Sequence, residues 1–259
     1  MSEPRLRWKA EQWESVNGST SFRLSPGEVH IWKAGLTQPA PVLERCRGLL
    51  SSEELTRAAR FYFEKDRDHF IVAHGMLRDV LGRYLGVAPG DLRFSTGSHG
   101  KPALAEPTPL CDFNLSHSGE LALLAVTQGQ IVGVDVERHR EGFGGQEIAE
   151  RFFSPAESGK LFALPEEQRL EGFFKCWTRK EAYIKAQGQG LSIPLSSFDV
   201  AFTPSEEPAL LRVAGHPEEA TRWSLYNLEP GEGYEGAVMV EGRDHTIQCF
   251  HWTDVMAGS

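Results

Sequence analysis

Ile131-Val-Gly-Val-Asp-Val-Glu137 is the stretch on which the fold and chemistry of this chain turn. Its β-branched content predicts a strand, and strand side chains alternate between faces. Val132, Val134 and Val136 then share one face, while Ile131, Gly133, Asp135 and Glu137 share the other. Asp135 and Glu137 stand about two strand rises apart on this reading, roughly 6.6–6.8 Å. Two carboxylates at that spacing suit a shared hard cation, which takes oxygen ligands. Gly133, with no side chain, leaves room beside them. A strand whose solvent face carries two acids fits the same pattern.

A second stretch, Phe173-Phe-Lys-Cys-Trp-Thr-Arg-Lys-Glu-Ala-Tyr-Ile-Lys185, reads as a helix. With Leu170 set at zero and about 100° per residue, Phe173, Phe174, Trp177 and Ile184 form a stripe from about 300° to about 40°. Glu181 falls near ~20°, inside that stripe, with Lys180 and Lys185 on its two margins. A carboxylate among aromatic side chains must be protonated, paired or metal-bound, because burying it unpaired costs several kcal/mol. A pair between Glu181 and Lys185 at the stripe's edge, worth about 0.3–0.5 kcal/mol, is the plainer alternative. It leaves the aromatic surroundings of the acid unexplained. A strand with two acids and a helix with a third acid and flanking lysines describe a site for Mg²⁺ and a polyphosphate.

Working outward, Leu121–Val126 reads as a strand and Thr127–Gln130 as a hairpin turn into Ile131. Val29–Lys33 is another short strand. Residues 1–28 are polar and read as irregular, and Pro39–Pro41 reads as a loop. Ser51-Ser-Glu-Glu54 is a capping-box pattern that opens a long helical stretch. A second periodic run, Phe70 to Tyr84, ends at Gly86, a helix-terminating glycine. Arg60, Lys65, Arg67, Arg78 and Arg83 make this the densest basic region of the chain. Residues 90–120 are turn-rich, through Gly97, Gly100-Lys-Pro102 and Pro107–Pro109. Helical signals return at Ser154, last to Gln187 and end at Gly188-Gln-Gly190 and Pro194. Phe198–Trp252 alternates and reads as strands. Strands and helices without regular βαβ alternation predict an α+β fold.

The chain has 259 residues, 40% of them hydrophobic and 24% charged, enough apolar material for a sizeable core in one or two domains. Its 27 Lys and Arg against 36 Asp and Glu leave a net charge of −9. That balance argues against nucleic acid as a partner, which needs a basic footprint. It leaves open a small phosphorylated ligand held by a local cluster. Cys46, Cys111, Cys176 and Cys249 are widely spaced and form no CxxC pair, so reduced, buried thiols are expected. Residues 1–8 contain no apolar signal segment, and no run approaches the roughly 18 apolar residues of a membrane span. A soluble, cytoplasmic protein without membrane partners is expected.

Gly133-Val-Asp-Val-Glu137 and Trp177-Thr-Arg-Lys-Glu-Ala-Tyr-Ile-Lys185 resemble the two signature motifs of the Sfp-type 4′-phosphopantetheinyl transferases, in the Trp…Lys-Glu-Ala variety. Gly100-Lys-Pro102, Asn114-Leu-Ser-His-Ser118, Arg151-Phe-Phe-Ser-Pro-Ala-Glu157 and Gly188-Gln-Gly-Leu-Ser-Ile-Pro194 match further pieces in order. The likeness covers about residues 50 to 200.

The resemblance implies transfer of the phosphopantetheine arm of coenzyme A to a serine of an apo acyl, peptidyl or polyketide carrier protein, releasing adenosine 3′,5′-bisphosphate. It implies Mg²⁺ on Asp135, Glu137 and Glu181, with Lys185 and Lys180 stabilising phosphate charge. Glu181 is the first choice as base for the serine proton. Glu157 is the second, although Ser154-Pro-Ala-Glu157 is equally a helix capping box. Lys101 and His117 match positions at the adenosine 3′-phosphate, with Ser116 beside them. Lys65 is the best-aligned further phosphate contact, with Arg60 and Arg67 in competition. The implied fold is a pseudo-dimer of two similar α/β halves, taken as residues 1–129 and 130–259, with coenzyme A in the cleft between them and the chain working as a monomer. A metal-dependent phosphohydrolase using the same acids is the alternative enzyme.

Overall fold

The computed structural model describes residues 13–15, 22–97, 100–105, 111–140 and 145–252; the Pro107–Pro109 turn and much of the N-terminal stretch lie outside these. Strands β1 (Trp13–Ser15) and β2 (Glu28–Gly35) come first, then helices α1 (Ala40–Leu49), α2 (Ser52–Ala58) and α3 (Glu64–Leu85). Short β3 (Phe94–Thr96) and β4 (Pro102–Leu104) pair with each other, and β5 (Asp112–Ser118) and β6 (Leu121–Thr127) form a hairpin. The second part runs β7 (Val132–Arg138), α4 (Gly145–Phe152), α5 (Pro155–Ala163), α6 (Glu166–Gln187), β8 (Phe198–Val200), β9 (Leu210–Val213), α7 (Glu219–Arg222), β10 (Trp223–Leu228), β11 (Tyr234–Glu241) and β12 (Thr246–His251).

The same β-α-β-β unit occurs twice. In the first, β2 pairs antiparallel with β6 and β6 with β5; in the second, β7 pairs antiparallel with β11 and β11 with β10. Each unit's long helix has 22 residues and stops at a left-handed glycine, Gly86 with φ 65° and Gly188 with φ 67°. A Cβ is disfavoured in that conformation, so glycine ends both helices. This repeat is the expected pseudo-dimer. Counted from their first residues, Asp79 and Arg83 of α3 occupy the positions of Glu181 and Lys185 of α6. Asp79 and Arg83 pair with each other at 2.8 Å, and Asp79 also accepts from the Trp252 indole at 2.8 Å. The first-half counterpart of the acid–lysine pair is thus tied up inside the fold. The last strand crosses over: β12 pairs parallel with β2 and carries β1 on its other edge.

Alternation divides the core into layers. Trp32, Ala122, Leu124 and Val126 face α3, whereas Val29, Ile31, Leu123 and Ala125 pack against Val132, Val134, Val136, Val238 and Val240 of the other sheet. The α6 side of the second sheet forms a third cluster with Phe173, Phe174, Ala182, Ile184 and Met239. The expected two-faced β7 is therefore present. Gly133 has a different task from the one expected. A Cβ there would lie 2.1 Å from the Ala182 carbonyl oxygen and 2.3 Å from the Ala186 nitrogen. Its bare backbone lets α6 lie against β7, rather than making space for an ion.

Two local expectations are corrected. Pro39–Pro41 begins a helix, α1, with Pro41 in its first turn, where a missing N–H costs nothing. The stretch after Ser51 is two helices, as its two periodic runs predict, joined around Phe61 to Phe63. The turn-rich region from 90 to 120 holds three strands, including β5.

Candidate active site

Strands β5 and β7 are the facing edges of the two sheets, and side chains tie them together. Asn114 Oδ1 accepts from the Val134 amide at 2.8 Å, and the Ser116 hydroxyl donates to Asp135 Oδ1 at 2.8 Å. Two residues on, the Ser118 hydroxyl donates to Glu137 Oε2 at 2.6 Å. The period-two geometry of both strands keeps Asn114, Ser116 and Ser118 in step with β7. Helix α6 closes the site from the other side. Lys185 Nζ donates to Asp135 Oδ1 at 2.6 Å and to Ser116 Oγ at 2.7 Å. Glu181, one turn earlier on α6, lines a cavity of about 270 Å³ together with Lys101, Asn114, Leu115, Lys185 and Gly188.

The site carries more negative than positive charge. Burial, then the charges of Asp135 and Glu137, push the Glu181 pKa up to about 7 against the pull of Lys185. Burial is also the main cause that raises the Glu137 pKa; Asp135 adds to it, while Ser118 and Lys185 oppose. Asp135 is only 3% exposed, and its Oδ2 is buried without a hydrogen-bond partner. An orphaned carboxylate oxygen beside two acids that resist ionisation fits a bound hard cation, and the donors are all of the oxygen type such ions take. Among the described residues no three His, Cys, Asp or Glu side chains converge closely enough to hold a metal as they stand. Lys185 supplies the positive charge at Asp135 instead.

The other sequence-predicted residues divide. Lys101 reaches the seam: its Nζ donates to the Val132 and Ala186 carbonyls at 3.0 and 3.4 Å, and burial lowers its pKa to about 8. His117 points away from the seam strand face that carries Ser116 and Ser118. The protein around its ring, then the charges of Lys185, His74, His69 and Arg57, holds its pKa below the usual histidine value. Lys65 pairs with Glu120 at 2.9 Å on the surface, and Arg67 lies 3.3 Å from Glu64 and 3.9 Å from Asp68. The expected basic region is not one patch, because Arg78 is buried on Glu54 and Arg83 is paired with Asp79.

Lys180 and Glu157 are corrections. Lys180 is 0% exposed and Glu157 2%. They form an ion pair at 2.7 Å, and Lys180 also donates to the Leu195 and Phe198 carbonyls at 2.7 and 2.5 Å. Glu157 completes the Ser154 capping box and accepts from the Val200 amide at 2.9 Å. Every polar atom of the pair is spoken for inside the fold, so neither residue reaches a ligand in the cleft. Conversely, Asn114 and Ser118 enter the site without having been singled out. Their signal was the alternation of Phe113 and Leu115 with Asn114, Ser116 and Ser118.

The fold and site thus define a two-half α+β protein with an acidic, lysine-bearing cleft on the seam between its halves. Residues 131–239 match the model of the 4′-phosphopantetheinyl transferase superfamily, and residues 39–129 that of the 4′-phosphopantetheinyl transferase N-terminal region. The 4′-phosphopantetheinyl transferase HetI of Nostoc sp. is 44% identical over 236 residues, 90% of this chain and 95% of the relative. The 4′-phosphopantetheinyl transferase Sfp of Bacillus subtilis is 36% identical over 157 residues, 61% of this chain and 68% of the relative. Holo-[acyl-carrier-protein] synthase of Thermotoga maritima, a solved structure, is 20% identical with a TM-score of 0.36, over 44% of this chain and 63% of that one.

The chain belongs to the 4′-phosphopantetheinyl transferase superfamily. It is an enzyme that moves the phosphopantetheine arm of coenzyme A to a carrier protein. The phosphohydrolase alternative finds no support among these relatives. No helix of the described residues is long and apolar enough to cross a membrane.

Proposed function

We propose that Asp135, Glu137 and Glu181 hold Mg²⁺ against the coenzyme A diphosphate at the β5–β7 seam, and that the acceptor is a serine of an acyl, peptidyl or polyketide carrier. The observation that carries this reading is the buried Asp135, held by Ser116 and Lys185 with one oxygen left open, beside Glu137 and Glu181. When bound there, the ion would clamp and polarise the diphosphate oxygens. Lys185 adds a positive charge at the same place, and Ser116, its proton committed to Asp135, holds that carboxylate beside Lys185. The carrier serine oxygen attacks the β-phosphorus. Its proton passes to Glu181, the P–O bond to the α-phosphate breaks, and adenosine 3′,5′-bisphosphate leaves. Positioning and charge neutralisation supply most of the rate in phosphoryl transfer.

On the adenosine side, His117 and Lys101 meet the 3′-phosphate, with Lys65 or Arg67 swinging in from the surface. Both halves of one chain complete the cleft, which supports a monomer as the working unit. The four free, buried cysteines support a reducing compartment such as the cytoplasm. Incubation of apo carrier proteins of each class with coenzyme A and Mg²⁺, read by intact mass, tests the reading. Gain of one phosphopantetheine group, lost on chelation of the metal, is expected. Transfer that survives complete chelation removes the metal from the proposal, and an unmodified panel removes the carriers.

A further inference from the structure

We propose that Ser118 is a positioning residue that aims the Glu137 carboxylate into the site across the boundary between the two halves. This rests on the reading of Asp135, Glu137 and Glu181 as the cation-binding set. A hydroxyl has one proton and two acceptor sites. The Ser118 oxygen accepts from the Arg138 amide at 3.2 Å, which leaves its proton for Glu137 Oε2 at 2.6 Å. Ser116 works the same way. Its oxygen accepts from Lys185, and its proton goes to Asp135. Each serine of the first half thus takes a donor from the second half and returns its proton to a carboxylate of the second half. Asn114 extends the series by accepting from Val134.

Ser118 is itself held in place. It is 8% exposed, and the turn after it is gripped by the second half. The Glu120 amide donates to the Tyr234 hydroxyl at 3.0 Å. Gly119 has φ 58°, and a Cβ there would lie 2.7 Å from both Arg138 Cδ and the Tyr234 hydroxyl. A side chain at Gly119 would therefore be strained and crowded, and the Glu120–Tyr234 bond ties the turn to the second half. The distance between β5 and β7 is set by one polar side chain per rung, Asn114, Ser116 or Ser118, because the two strands belong to different sheets. The carboxylates are consequently oriented by the opposite half of the molecule.

The test uses the full-length chain with coenzyme A and Mn²⁺ as the probe ion, counted by the electron paramagnetic resonance of free Mn²⁺. Ser118→Ala should weaken Mn²⁺ roughly 10–100-fold, the range found when a group orienting a metal ligand is removed. Ser118→Cys, which keeps the volume but donates weakly, should behave alike, and Ser118→Thr should recover affinity to within about threefold of wild type. The KM for the carrier should stay unchanged while the Mg²⁺ requirement for turnover rises. In a Glu137→Gln background, removal of the Ser118 hydroxyl should change Mn²⁺ affinity little further. Wild-type Mn²⁺ affinity in both Ser118→Ala and Ser118→Cys overturns the positioning role. Absence of Mn²⁺ binding by the wild-type complex overturns the underlying metal reading instead.

Discussion

Glu157→Gln and Lys180→Met should each destabilise the protein without slowing its chemistry. The pair lies at 2.7 Å with 2% and 0% exposure, and three bonds hold the ammonium: the Glu157 carboxylate and the Leu195 and Phe198 carbonyls. Removing one partner leaves the other buried and uncompensated, which typically costs about 3–5 kcal/mol. At about 2–4 °C per kcal/mol for a chain of this size, Tm should fall by roughly 10 °C. In Glu157→Gln/Lys180→Met the charges are gone together, and the glutamine can still serve the Val200 amide. The double variant should therefore melt above either single one. The assay pairs thermal melts with transfer kinetics measured well below the lowered Tm. For the folded single variants kcat and the KM for coenzyme A should stay within about threefold of wild type, since surviving interactions at the cleft are untouched. A Glu157→Gln protein with wild-type Tm and a kcat reduced more than about 100-fold would refute this, because that pattern belongs to a general base.

Glu181→Gln should abolish detectable transfer, while the Tm of the chelated protein stays level or rises, since the crowding of Glu181 by Asp135 and Glu137 is relieved; a Tm drop would place Glu181 in the scaffold. His117→Ala should weaken coenzyme A about tenfold and its 3′-dephospho form much less, the loss of one charge-assisted contact; equal losses in titration calorimetry would move the 3′-phosphate elsewhere. Glu54 gives a stability signature with pH. Burial alone would raise its pKa, but hydrogen bonds from His74 and the Ser51 amide and the Arg78 charge outweigh it and hold the pKa at about 2, below the ordinary 4.5. A depressed carboxylate stabilises the fold above its unfolded pKa and ceases to do so as pH falls through the folded one. Glu54→Gln should therefore lose up to about 3 kcal/mol at neutral pH and flatten the loss of stability from pH ~4.5 down to ~2; a denaturant series giving the same slope as wild type would contradict it.

How far the sequence carried depended on whether a pattern had one physical cause. The valines of β7 had one, alternation against a core, and Asp135 and Glu137 fell on the face where they were expected. Gly86 and Gly188 ended their helices because only glycine takes that conformation without strain. Asn114-Leu-Ser-His-Ser118 was harder, because its polar residues are not the β-branched and aromatic types that favour strands, and the face of Asn114, Ser116 and Ser118 meets the other half of the molecule instead of water. Lys180 sat on the margin of an apolar stripe, as a ligand-binding lysine would. The helical wheel cannot see that α5 and the segment around Leu195 and Phe198 close over that margin. Glu157 satisfied a capping box and a catalytic motif at once, and the structure realises the first. Arg78 and Arg83 raised the local basic count while answering acids inside the fold.

The crossing of β12 into the first sheet has a consequence for biogenesis. Until the segment from Thr246 onward has been made, β2 has a partner on only one side. A nascent or truncated chain therefore displays an unpaired Val- and Ile-bearing edge, the kind that recruits other strands into aggregates. The pairing that closes this edge is parallel and joins distant parts of the sequence, a combination that nucleates slowly. Soluble yield should accordingly improve when the growth temperature is lowered, which slows aggregation of the unpaired edge.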